Sequence, residues 1–313
     1  MLRGYSYKAL LASSLRAQWD LDDVLSADQE LDFLRDFMPQ SLSQTASAPG
    51  LCNGGERRLL NQIAALQYLH HFGSVEEFVL PFVLDHARSM LGEDDYRVRA
   101  LLNFAGEEAK HIHLFNRYRD AFVRGFPVTC QVLGPPEVLT KKVLSHHPLA
   151  VGLIILMIEW MTQAHYLGSI RDDSDIDPLF KNLFRHHWME EVQHAKLDTL
   201  IVHALAEGRS EHELQQVANQ FFQIAAFLDR SLQIQARFNV ESLERAIGRL
   251  IPERDALMVH QYRAARWTYL GSGLRHERFK ATLEAISPAM ASRVAAATAP
   301  RVSPPAAAAT RAA

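Results

Sequence analysis

Glu107-Glu108-Ala109-Lys110-His111 and Glu190-Glu191-Val192-Gln193-His194 carry the same pattern, Glu-Glu-x-x-His. Each sets a carboxylate and an imidazole three residues apart. That is one turn of an α-helix, so both side chains point the same way. Two such turns facing each other, joined by single glutamates from two more helices, make a two-metal site inside a four-helix bundle. The rest of the chain is therefore read for two lone glutamates and for apolar faces able to bury them.

Upstream, a helix predicted over about 56–91 offers Glu76 and Glu77. At about 100° per residue, Leu66, Leu69, Phe72, Leu80, Val83 and Ala87 cluster around the direction of Glu76. Gln67, His70, Ser74, Asp85 and Arg88 fall on the opposite side. Glu76 thus sits at the centre of the apolar face and Glu77 at its edge. A lone carboxylate there is costly to bury unless it is paired or bound to metal. Glu76 is the expected ligand, with Glu77 the alternative.

The other lone glutamate is Glu159, in the apolar run Leu149-Ala150-Val151-Gly152-Leu153-Ile154-Ile155-Leu156-Met157-Ile158-Glu159-Trp160-Met161. The segment 148–170 approaches the length of a membrane span. Its single carboxylate would lie at mid-bilayer, where it costs about 2.5–3.5 kcal/mol. A helix buried on all sides in a bundle explains the same residues with less strain. Alone, Glu159 reads equally well as a buried glutamate bonded to an Arg or His. Beside two EExxH turns and Glu76 it reads as a metal ligand.

Within each motif the helical turn pairs the second glutamate with the histidine: Glu108 with His111, and Glu191 with His194. Glu107 and Glu190 are rotated away and are expected in solvent or as supports for the ligands. His187 lies one turn before Glu191 on the same face and joins the candidate ligands. Asp198, one turn beyond His194, is a candidate acceptor for the second imidazole nitrogen. Carboxylates and imidazoles in this number suit iron or manganese better than copper, and would hold zinc without redox use. Phe104, Phe115, Leu156, Met157 and Trp160 are expected to keep water from the centre.

In the order Glu76, Glu108-x-x-His111, Glu159, His187-x-x-x-Glu191-x-x-His194, these residues resemble the ferritin-like di-iron carboxylate proteins. The resemblance covers roughly Glu56 to Glu207, about half the chain. The additional histidine of the HxxxExxH element is similar to the p-aminobenzoate N-oxygenase branch. The resemblance implies two iron ions (or manganese), O2 as co-substrate, and oxygen transfer to a small molecule, often an arylamine. No GxGxxG follows a strand and no CxxC is present, so the electrons must come from an external donor. No catalytic group beyond the metal centre is assigned. A homodimer is the assembly to test.

The fold class expected is all-α: a ferritin-like four-helix bundle with additional N- and C-terminal helices. Residues 1–55 read as a helical region, over about 5–38, followed by a Ser/Gly/Pro-rich loop. Residues 56–290 read as the ferritin-like domain with appended helices, the last two over about 211–237 and 252–286. Residues 291–313 read as a disordered Ala/Pro-rich tail. With 33 basic and 36 acidic residues and a formal net charge of −3, the chain shows no nucleic-acid or anionic-membrane surface. Cys52 and Cys130 form no framework and no CxxC, and the N-terminus lacks a signal-peptide pattern, so a cytoplasmic location is expected. Other uses of the same bundle are iron storage or peroxide detoxification, and metal-assisted hydrolysis without redox change. A metal-free interaction module would leave four buried glutamates unpaired. Arg263, Arg266, Arg275 and Arg278 on the last helix read first as a solvated face, with binding of an acidic substrate or carrier the alternative.

Overall fold

The computed structural model describes residues 5–26, 29–92 and 95–298. Its elements are α1 (Tyr7–Ala17), α2 (Leu21–Val24), α3 (Gln40–Ser43), α4 (Gly54–Arg88), α5 (Asp95–Gly125), α6 (Pro136–Leu144) and α7 (Pro148–His165). They continue with α8 (Pro178–Ala206), α9 (Glu211–Ile247), α10 (Arg254–Arg266), α11 (Ser272–Arg275), α12 (Glu277–Ile286) and α13 (Pro288–Thr298). No strand occurs among the described residues, and one isolated parallel bridge joins Asp36 to Ile176. The fold is all-α, with α4, α5, α7 and α8 as a four-helix bundle.

The long helices start and stop where their end chemistry dictates. The Asn53 side chain accepts from the Glu56 amide and opens α4, and Asp177 accepts from the Phe180 amide and opens α8 with Pro178 in its first turn. Ser210 and Glu213 form a reciprocal cap at the start of α9. Gly208 and Gly248, at φ 73° and 69°, take the left-handed conformation that ends α8 and α9.

In the bundle α4 packs on α5, α7 on α8, and α5 on α8, while α4 also meets α7. A second layer covers it. α9 lies along α4 and α7, α10 folds back on α9, and α1 lies across α5 and α8. α11 and α12 close over α7. The helix around Glu159 is long and apolar enough to cross a membrane, and 94% of that stretch is buried inside the protein.

Several boundaries differ from expectation. Among the described residues of 5–38 only α1 and α2 are helical. From 29 to 39 the chain is irregular, because α4 supplies its hydrogen bonds: Asn61 Oδ1 accepts from the amides of Phe37 and Met38, and Gln62 Nε2 donates to the carbonyls of Phe33 and Arg35. The polar side of α4, opposite Glu76, is also buried at Gln67, His70 and Ser74. There α9 covers it, and Asn239 Nδ2 donates to Gln67 Oε1 at 2.6 Å. α9 runs ten residues past its expected end. The 252–286 helix is interrupted by a π-helical turn at Trp267–Gly271 and a break at His276. The expected tail begins in α13, where Met290 and Val294, one turn apart, are buried and alanines favour the helix. The remainder of that tail, 299–313, lies outside the described residues.

Candidate metal centre

α4 brings Glu76 to the centre of the bundle, α5 brings Glu108 and His111, α7 brings Glu159, and α8 brings His187, Glu191 and His194. All seven are 3% exposed or less. Glu77, next to Glu76, is only partly buried, so helical phase separates the two.

The donor atoms form two groups that share a wall. Glu76, His111, His187 and Glu191 make one, and Glu108, His111, Glu191 and His194 make the other, with the donor atoms of each group within 4.8 Å of one another. His111 Nδ1 lies 3.0 Å from Glu191 Oε1, and His194 Nδ1 lies 3.0 Å from Glu108 Oε1 and 3.3 Å from Glu191 Oε2. His187 Nε2 lies 3.0 Å from Glu191 Oε1 and 3.2 Å from Glu76 Oε1. Glu159 falls outside both groups and faces the Glu191 carboxyl.

Apart from His187 Nε2 with Glu76 Oε1, these approaches are not ordinary hydrogen bonds. His111 Nδ1, His194 Nδ1, Glu191 Oε1 and both oxygens of Glu108 lack hydrogen-bond geometry with any partner, although all are buried. Neighbouring donors around one cation at about 2.1 Å sit about 3 Å apart, which is the spacing observed. Buried polar atoms converging on a common point at that separation fit metal coordination. The residues present therefore fit a pair of cations.

The outer nitrogens explain the inner ones. His194 Nε2 lies 2.9 Å from Glu107 Oε2, and His111 Nε2 lies 2.9 Å from Glu190 Oε2. Each motif's first glutamate thus holds the other motif's histidine. An Nε2–H donated to a carboxylate leaves Nδ1 as a lone pair facing inward. Glu107 and Glu190 are themselves buried and supported, Glu107 by Ser14 Oγ at 2.5 Å and Glu190 by Lys110 Nζ at 2.5 Å. Asp198 was expected to hold His194. Its carboxyl is buried but bonds nothing, because Glu107 already occupies Nε2. Ser14 and Lys110 were missed. Lys110 was visible inside the first motif, but no local signal marks Ser14, on a different helix.

Burial pushes the Glu76 and Glu159 carboxyls well above their usual range, and neighbouring Glu108 and Glu191 add to it. Burial acts the same way on Glu191, but the His194 and His187 rings outweigh it and hold that carboxyl well below the range. Burial alone would lower His111 and His194, yet the carboxylates around them raise both. Without cations, protons take over part of the charge compensation that this cluster of glutamates requires.

Rings enclose the site. Phe104 lies 4.0 Å from the His194 ring centroid, and Phe72 and Phe115 present edges to His187 at 5.6 and 5.0 Å. Trp160, expected among them, stacks instead on His276 at 5.1 Å, on the side of α7 that α12 covers. Trp19 lies 6.1 Å from the His111 ring, stacked, under the Lys110 ammonium. Arg266 pairs with Asp229, Arg275 lies over Trp267 and Arg278 over Trp160, so these arginines are engaged within the chain.

The fold and this donor set together define the class: a helical bundle with a buried carboxylate–histidine cluster that fits two cations. No family model matches the chain, and no curated protein matches it. Among solved structures it is similar to R2-like ligand-binding oxidases. A substituted form with an anaerobically reconstituted Mn/Fe cofactor and another with an aerobically reconstituted Fe/Fe cofactor are each 17% identical, at a TM-score of 0.45 over 85% of this chain and 93% of theirs. An R2-like ligand-binding oxidase with an aerobically reconstituted Mn/Fe cofactor is 16% identical, at 0.43 over 85% and 92%.

Proposed function

We propose that this chain is a di-metal carboxylate enzyme that uses O2 to oxidise a small organic molecule, with iron, or iron and manganese, as the metals. The observation that carries the reading is the crossed pair of motifs. Glu107 and Glu190 fix both imidazoles with Nδ1 inward, while Glu108 and Glu191 converge on the same points at about 3 Å separations. Two redox-active cations bound there would supply the electron transfer to O2 that side chains cannot.

The chain's own residues do the rest. Glu76 and His187 would hold one cation and Glu108 and His194 the other, with His111 and Glu191 between them. Glu159, facing Glu191, stands where a carboxyl can shift toward the centre. Phe72, Phe104 and Phe115 exclude water, which strengthens every electrostatic interaction inside. The finer reading is oxygen transfer to an amine nitrogen. It is supported by the third histidine, His187, whose Nε2 is placed with Glu76 and Glu191 rather than at the surface. Electrons would come from an external donor. A cytoplasmic location and a homodimer belong to the same proposal.

Metal analysis joined to a redox cycle tests it. The expected result is about two iron or manganese ions per chain, with a near-ultraviolet ligand-to-metal band that bleaches on reduction and returns with O2. A chain that works equally well with zinc and ignores O2 is a hydrolase. One that takes up many irons is a store. Absence of bound metal ends the reading.

A further inference from the structure

A cavity of about 290 Å³ lies beside the cluster. Phe72 and Ile158 are in its lining. Phe72 is edge-on to His187, and Ile158 adjoins Glu159 in the chain. Val138 and Ile234 also line it, and both are exposed, so its mouth lies between α6 and α9. The cavity is thus open to the surface, and Phe72 in its wall separates it from His187 of the carboxylate–histidine cluster.

We propose that this cavity binds an uncharged, largely apolar small molecule that donates a hydrogen bond, and that it excludes carboxylates. The proposal rests on the reading of the buried cluster as an oxidation site and names the class of its substrate.

The lining carries no Lys, Arg, Asp or Glu among the described residues. Its walls are aliphatic and aromatic, with Leu133, Leu139, Met161 and Leu232 beside Phe72 and Ile158. An anion entering would lose its hydration without gaining a cation, and that loss is not offset by apolar contact. Arg119, whose charge acts on His70, is not part of the lining.

The polar atoms that do line the cavity are mostly acceptors. Ser74 Oγ donates to the His70 carbonyl at 2.8 Å and Ser231 Oγ to the Phe227 carbonyl at 3.1 Å, so both hydroxyl protons are committed and their lone pairs remain. The His70 ring is buried beside the Leu133 carbonyl, and its Nδ1 exposes no surface to the cavity. Burial holds His70 at about 4 and His71 at about 3, so neither becomes the missing cation near neutral pH. Tyr269 keeps its proton, since burial raises its hydroxyl. An N–H or O–H on the ligand would find its acceptors in the Ser74 and Ser231 hydroxyl oxygens.

Calorimetric titration of the full chain with three near-isosteric probes tests this: 4-methylbenzyl alcohol, 4-methylanisole and 4-methylbenzoate. The metal-free chain is titrated first, where no carboxylate can bind through a metal. The alcohol is expected to bind at least tenfold more tightly than the benzoate, and more tightly than the anisole, which lacks the donor. Leu228→Trp, which fills the cavity, is expected to weaken the alcohol at least tenfold. Ser231→Arg, which adds a cation, is expected to shift the preference toward the benzoate. Equal or tighter binding of the benzoate to the unaltered chain overturns the proposal. So does failure of all three probes to bind, or alcohol binding that neither variant changes. Metal content measured on the same samples separates the two readings, since selective alcohol binding by a chain that takes up no metal upholds the cavity and removes the oxidation site.

Discussion

Glu107 on α5 reaches across the bundle to His194 on α8, with Oε2 2.9 Å from Nε2, and Glu190 on α8 returns the contact to His111 on α5 at the same distance. Each ligand histidine is therefore aimed by the opposite helix. Removing either carboxylate, as Glu107→Ala or Glu190→Ala, is expected to lower metal affinity about 10–100-fold. The helix content should be unchanged. Competition titration against a chromophoric chelator measures it, and an affinity within twofold of the unaltered chain would show that the crossed contacts do not orient the ligands.

The shared wall makes a stoichiometric prediction. Glu76 and His187 belong to one donor group only, whereas Glu191 belongs to both. Glu76→Ala or His187→Ala is expected to reduce the metal content by about half of the two ions that such a site holds. Glu191→Ala is expected to abolish it. Elemental analysis of purified variants distinguishes this from uniform loss in all three.

Acid should destabilise the protein through buried neutral histidines. His165 is fully enclosed, its Nε2 directed at the Thr268 carbonyl at 3.0 Å, and burial lowers it to about 4 from 6.5. A group that resists protonation only when folded binds fewer protons in the folded state. Stability is then complete above the unfolded value near 6.5 and falls as the pH drops toward about 4, below which this contribution levels off. The loss from one such group is on the order of 3 kcal/mol. Urea denaturation midpoints at several pH values follow it, and His165→Gln should flatten the slope over that window.

The C-terminal helices are seated on the ligand-bearing helix by a close backbone approach. A Cβ added at Gly273 in α11 would stand 2.6 Å from the carbonyl oxygen of Met157 in α7. Backbone cannot rotate aside as a side chain can, so Gly273→Ala is expected to cost about 1–3 kcal/mol by overpacking. Thermal unfolding followed by circular dichroism would register it as a lowered midpoint, and an unchanged midpoint would show that α11 moves freely away from α7.

What the amino-acid order determined by itself is the part that local helical geometry controls. The three-residue spacing in Glu108-x-x-His111 and Glu191-x-x-His194, the four-residue step back to His187, and the phase that selects Glu76 over Glu77 all follow from about 100° per residue. The same rule fails where a second layer intervenes. Gln67, His70 and Ser74 lie on the polar side of α4, yet α9 buries them and Asn239 satisfies Gln67. Asp198 is in register to serve His194, but register cannot show that Glu107, 87 residues away, reaches the nitrogen first. Ser14 supports Glu107 across 93 residues and Glu190 meets His111 across 79. Such contacts are set by how the helices are placed against one another, which depends on packing of the whole core rather than on any window of the chain. The neutral cavity beside His187 has the same origin: α4, α6, α7 and α9 each contribute walls, and only their assembly leaves a space with no charge in it.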